Sequence, residues 1–218
     1  MMAFKSRHAV LAPAIVTGWL LALAQLGYRV ATHQLGANPI ATALNQLGLL
    51  SLVLLVACLS ATPLKLTLGW TWPGRVRRTL GLLAFFTALL HFVLYLGPDQ
   101  GFDLLGVLND IAKRPFIAVG FLALVLLVPL AWTSSKQAVR RLGFPIWQRL
   151  HRLVYVIGVL AALHFFLRVK ADHTQPLIYA AIILLGFAIR LVAWRTKLLS
   201  KRTRSAKTAP STPIASAD

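Results

Sequence analysis

The sequence predicts an all-α integral membrane protein, a bundle of six transmembrane helices. Composition is the first reason: the chain is 58% hydrophobic, with a mean hydropathy of +0.72, as polytopic membrane proteins are. Segmentation is the second. Six apolar runs, roughly 9–28, 41–60, 79–96, 115–132, 150–168 and 177–194, each approach the ~20 residues that cross a hydrocarbon core. Charge placement is the third, because the basic residues gather at alternate connections. Spanning segments in lipid must satisfy their own backbone hydrogen bonds, so an open strand is excluded and helices are required.

The first run follows Lys5 and Arg7 and ends near Ala22-Leu23-Ala24. A short basic segment, an apolar run and small residues also describe a cleavable signal peptide. Retention as helix 1 is the preferred reading, because the run is long and six spans keep both basic termini on one side. The third and fourth runs are short, and upright helices are expected there. The sixth run leads into a basic tail, 196–218, poor in large apolar residues and expected to be disordered. Its bases suit anionic headgroups, or a solvated tail that only enforces topology. The resulting division is an N-terminus at 1–8, a six-helix domain at 9–195 and the tail at 196–218.

Charge sets the orientation. The chain carries 23 Lys and Arg against 5 Asp and no Glu, a net +18. Nucleic acid is one reading of such a charge, but basic loops on one membrane face explain it better. With a cytoplasmic N-terminus, Lys65, Arg75, Arg77, Arg78, Lys136, Arg140, Arg141, Arg149, Arg152 and the tail are inside. Only Arg29, Lys113, Arg114, Arg168 and Lys170 fall outside. Four acids, Asp99, Asp103, Asp110 and Asp172, sit in outer loops, and Trp70, Trp72, Trp132, Trp147 and Trp194 border the inner face as an interfacial belt.

Three histidines lie within or at the end of apolar runs: His91, His151 and His164. Ionisable residues at membrane depth are costly and usually functional. His91 stands roughly 18 Å and His164 roughly 21 Å above the inner ends of runs 3 and 5, at 1.5 Å per residue. Two imidazoles at one depth on different helices can hold a haem iron between helices 3 and 5; the bland reading is a histidine hydrogen-bonded to the next helix. His151 lies about 20 Å below His164. On a straight helix the two would not share a face. The positions opposite His151 on helix 3 hold Arg77 and Arg78, which stay protonated and ligate iron poorly. They suit a haem propionate or a flavin phosphate, or simple anchoring to the inner face. His8 is held in slight reserve as a partner for His151; His33 and His173 read as surface residues. Cys58, the only cysteine, excludes an intrachain disulfide. No dinucleotide fingerprint or phosphate loop is present, so an electron carrier of this sequence needs a separate donor. The rivals are a transporter with a histidine proton relay, for which the sequence lacks a membrane-embedded acid, and a non-redox membrane anchor, which would explain the basic tail but not two histidines at one depth.

The residues RRTLGLLAFFTALLHFVLY (77–95), RPFIAVG (114–120), LAWTS (130–134) and RLGFPIWQRLHRLVY (141–155), with Thr62-Pro63-Leu64 and His164, resemble one family. It is the MsrQ (YedZ) family, the haem-binding membrane subunits of the bacterial periplasmic methionine-sulfoxide reductase system, in the ferric-reductase-like transmembrane group. The resemblance implies haem b (one or two) on His91, His151 and His164, an FMN, and an inner-membrane location with cytoplasmic termini. It also implies a quinone or flavin-reductase donor. Electrons would pass to the periplasmic molybdopterin subunit MsrP, where methionine sulfoxide is reduced; this chain would transfer electrons rather than catalyse. The wider group carries two histidines on each haem-bearing helix, and Arg77 and Arg78 depart from that.

Cytoplasmic termini imply that a reporter fused at the C-terminus is active only if it works in the cytoplasm. Activity of an alkaline phosphatase fusion at that point would overturn the orientation.

Overall fold

The computed structural model describes residues 10–208; His8 and the end of the expected tail lie outside the described residues. The described chain is helical, without strands, and six of its helices are long and apolar enough to cross a membrane. The described α-helices, in chain order, are α1 (Leu11–Ala31), α2 (Pro39–Leu68), α3 (Trp72–Leu94), α4 (Leu104–Lys113), α5 (Pro115–Trp132), α6 (Lys136–Leu142), α7 (Phe144–His151), α8 (Leu153–Arg168) and α9 (Thr174–Thr208). α3 runs on through a π-helical turn, Tyr95–Asp99. The six spans are α1, α2, α3 with its π turn, α5, α7 with α8, and Thr174–Lys197 of α9.

Proline and capping residues set the starts. Pro39 opens α2 behind Asn38, whose side chain accepts the Ala41 N–H at 3.0 Å. Pro73, Pro115 and Pro145 sit in the first turns of α3, α5 and α7, where a missing N–H costs nothing. α2 stops at Gly69, in the left-handed region at φ 70°, which glycine enters without a Cβ clash.

Several expected boundaries are corrected. The third span is not short: Trp72–Asp99 covers 28 residues, because the basic turn at 75–78 is helical and its long side chains can reach the interface. The fifth span begins at Phe144 and is interrupted at Arg152, between α7 and α8. The 97–114 connection is not a plain loop but holds α4, capped by Asp103 accepting the Leu105 N–H. The stretch expected to be tail is helical as far as Thr208, since Lys, Arg, Ala and Leu sustain a helix without an apolar face.

The core lies among α2, α3, α5 and α8. Ala84 and Ile157 are completely buried there. Small residues bring α2 and α3 together: a Cβ on Gly81 would meet Cys58 Sγ at 3.5 Å. Hydroxyls bind the spans where lipid offers no water. Ser51 donates to the Ala84 carbonyl at 2.9 Å, and Trp19 of α1 donates to buried Thr87 at 2.8 Å. Most of α1 otherwise faces outward.

α2 contains Pro63, which cannot donate to the carbonyl of Leu59, one turn earlier. Arg190 of α9 takes that carbonyl through Nη2 and donates through Nη1 to Gly186 O at 3.2 Å. Its guanidinium lies 5.3 Å from the Tyr155 ring centre. One long side chain thus repairs the proline defect and joins α9 to α2 and α8.

Arg190→Met should therefore destabilise the protein by about 1–3 kcal/mol, the usual cost of orphaning buried polar groups. Pro63→Ala restores an N–H to Leu59 O, so Arg190→Met should cost less in that background. Thermal unfolding in detergent reads both; strictly additive losses would mean the carbonyl is not what Arg190 serves.

Candidate functional site

A cavity of about 580 Å³ opens among α2, α3, α5 and α8, within the range of cofactor sites. Its deep wall is aliphatic, with Leu55, Leu127 and Ile157. It reaches the end of the bundle that carries the π turn and the α8–α9 connection, where Asp99, Arg114, Arg168 and Asp172 line it. His91 of α3 and His164 of α8 both line it.

The two imidazoles are brought together. Their ring centres are 6.3 Å apart and their planes lie at 86°. An imidazole nitrogen binds a first-row metal at about 2.0 Å and lies about 1.2 Å from its ring centre, so two rings ligating one ion from opposite sides have centres roughly 6.4 Å apart. The observed spacing fits a single metal between them.

Each ring is oriented by the same device. His91 Nδ1 lies 2.9 Å from Leu44 O, and His164 Nδ1 lies 2.6 Å from Phe116 O. A carbonyl only accepts, so Nδ1 carries the proton and Nε2 keeps the lone pair a metal needs. In both cases a glycine stands four residues after the accepting carbonyl, Gly48 after Leu44 and Gly120 after Phe116. A Cβ at Gly120 would stand 2.5 Å from His164 Nδ1, and one at Gly48 3.3 Å from His91 Cε1. These glycines were not singled out in the sequence. A glycine one turn beyond each histidine's partner carbonyl is a signal only once the pairing of helices is known.

Among the described residues, no three His, Cys, Asp or Glu side chains cluster as a metal site. A bare ion would find two protein ligands. A metal that brings its own equatorial nitrogens, as haem does, needs only two, so the donor set and the apolar walls fit haem.

His151 is not part of this pair and does not line the cavity. It ends α7, stacked on Trp147 with ring centres 4.1 Å apart. Thr133 Oγ1 already donates to Pro129 O, so His151 Nε2, at 3.1 Å from it, is the donor. Trp147 Nε1 donates to Thr133 O at 2.9 Å. Arg77 is half-buried within electrostatic reach of His151, while Arg78 is exposed. His33 and His173 lie in connections; His173 packs 4.7 Å from the Phe166 ring.

At the cavity mouth, Asp110 pairs with Arg114 at 3.0 Å and accepts from Tyr95 Oη at 3.1 Å. Asp172 accepts the Thr174 N–H at 2.9 Å, and hydrogen bonding to Thr174 holds its carboxyl below the usual range.

The ferric reductase like transmembrane component family matches residues 42–162, ending just short of His164. Three curated relatives carry the name protein-methionine-sulfoxide reductase heme-binding subunit MsrQ. The protein of Rhodospirillum rubrum is 50% identical over 179 residues, 82% of this chain and 86% of the relative. That of Deinococcus radiodurans is 48% identical over 171 residues, 78% and 84% of the two chains. That of Ralstonia nicotianae is 48% identical over 184 residues, 81% and 84%.

The glycine seats are unequal. Gly120→Ala should displace His164 and strip most haem, because the added carbon would overlap a ring fixed by its carbonyl bond. Gly48→Ala should keep the haem with a perturbed spectrum, since a few tenths of an ångström relieve the contact. Haem per protein after purification measures both; equal retention would mean the α5 seat is not tight.

Proposed function

Because the chain belongs to the ferric reductase-like transmembrane family, and within it to the MsrQ haem-binding subunits of methionine-sulfoxide reductase, we propose that it is a b-type cytochrome that moves electrons across the bacterial inner membrane. The observation that carries this reading is the His91–His164 pair, 6.3 Å between ring centres on the wall of an apolar cavity. When bound there, haem iron alternates between ferric and ferrous states and so carries one electron at a time. His91 and His164 would hold it through Nε2, the nitrogen left free by the carbonyl bonds. Leu44 O and Phe116 O fix the tautomer and raise the basicity of each ligand. The aliphatic wall keeps water from the iron. A proton relay is disfavoured by the same contacts, because each Nδ1 faces a backbone carbonyl that cannot be protonated.

Electrons enter, in this proposal, from a quinone or a flavin reductase at the basic face and leave at the mouth beside Asp172 for the periplasmic molybdopterin reductase MsrP. Both termini are then cytoplasmic, and methionine-sulfoxide reduction belongs to the partner. His151 serves the entry side with Trp147 and Arg77. A second haem there would require His151 to release Thr133 or ligate through Nδ1, so one haem is favoured. The family's FMN would find phosphate partners in Arg77 and Arg78.

The test is the spectrum of purified protein. Wild type should show a reducible α-band, and His91→Ala or His164→Ala should each remove most haem, whereas His173→Ala leaves it. His151→Ala should retain the upper haem but slow its reduction several-fold by a flavin or quinol donor in stopped flow. A His91→Ala protein with full haem and an unaltered spectrum would falsify the axial pairing.

A further inference from the structure

Arg168 is the half-buried cation at the outer end of the cavity, and it is unspent. It follows His164 by one helical turn on α8, so both side chains share a face and line the same wall. It stands within electrostatic reach of both imidazoles. Arg114, on the same rim, is exposed and already paired with Asp110. Among the described residues Arg168 has no ion pair and no hydrogen bond, and Asp99 and Asp172 on the rim do not engage it. A guanidinium offers five donors in a fixed fork that matches a carboxylate.

The position argues for an anionic group of the ligand itself. α8 ends at Arg168, so the last carbonyls of the helix face that end of the cavity, and their partial charge repels an anion. A carboxylate there needs a cation in the last turn. The deep wall at Leu55, Leu127 and Ile157 offers none. An amphipathic planar cofactor with acid groups on one edge therefore has one orientation that leaves no charge stranded.

Resting on the reading of the His91–His164 site as a haem site, we propose that Arg168 binds a haem propionate and fixes the cofactor with its acidic edge toward the outer mouth. That places the edge nearest the α8–α9 connection at the surface from which electrons leave. Arg168 is a cofactor-positioning residue and does not ligate iron.

The full-length apoprotein in detergent is loaded with haem b or with its dimethyl ester, which lacks the acid groups. Haem loss to apomyoglobin is then timed. In wild type, esterification should speed loss by on the order of tenfold or more, the scale of a charge-assisted hydrogen bond. Arg168→Gln should speed loss of haem b similarly yet respond little to esterification, and Arg168→Lys should restore part of the difference. The bis-histidine spectrum should persist in both variants. If esterification accelerates loss equally in wild type and Arg168→Gln, the arginine does not hold a propionate and serves instead to reach lipid headgroups. Should the wild-type chain take up neither form, the haem reading falls first, and the role of Arg168 with it; His91→Ala, which should bind neither, calibrates that outcome.

Discussion

A buried imidazole can ligate a metal only if its other nitrogen has somewhere to put a proton, and this structure is arranged around that constraint. Leu44 O and Phe116 O supply the two places. Each carbonyl belongs to a helix other than the one bearing its histidine. The bonds therefore also fix how α3 sits on α2 and how α8 sits on α5. The contacts that orient the two imidazoles are therefore also contacts that pack the helices. Gly120, packed against the His164 ring, then matters because it sets the distance between α5 and α8.

The device occurs twice with nearly the same spacing. Leu44 and His91 are 47 residues apart, and Phe116 and His164 are 48 apart. In each half a helix supplies a carbonyl followed one turn later by glycine, and a second helix supplies the histidine. The halves are joined across the cavity by the two facing rings. No repeat is visible by eye in the sequence, because the equivalence rests on one glycine and one histidine per half.

The six spans were legible because hydropathy and charge act over many residues at once. The His91–His164 pair was legible because helical rise converts sequence distance into depth. Other features depend on single contacts between distant segments and left no such trace. Arg152 interrupts the fifth span, which removes the premise of a straight helix used to compare the faces of His151 and His164. Thr133 claims His151 Nε2, a partner 18 residues away that no spacing rule selects. Asp103 and Asp110 read from the sequence as acids of an outer loop, but the first caps α4 and the second pairs with Arg114. Cooperative signals were readable in the chain, and the pairwise ones waited for the fold.

The distribution of charge inside the bundle has a further consequence. Among the described spans, Arg190 meets backbone carbonyls rather than a carboxylate, and Arg168 meets neither. Carbonyl dipoles solvate a cation but do not cancel its charge. The field along the bundle is therefore positive from the neighbourhood of Arg77 and Arg190 to that of Arg168. Such a field favours whichever redox state of a bound group carries less positive charge. It also attracts anionic cofactors into a cavity whose walls are otherwise aliphatic. The scarcity of acids follows the same physics: a carboxylate placed in the spans would neutralise an arginine and weaken both effects. Among the described residues, Asp103, Asp110 and Asp172 stand instead at the end of the bundle that carries the π turn, where Asp110 pairs with Arg114 and Asp172 accepts the Thr174 N–H.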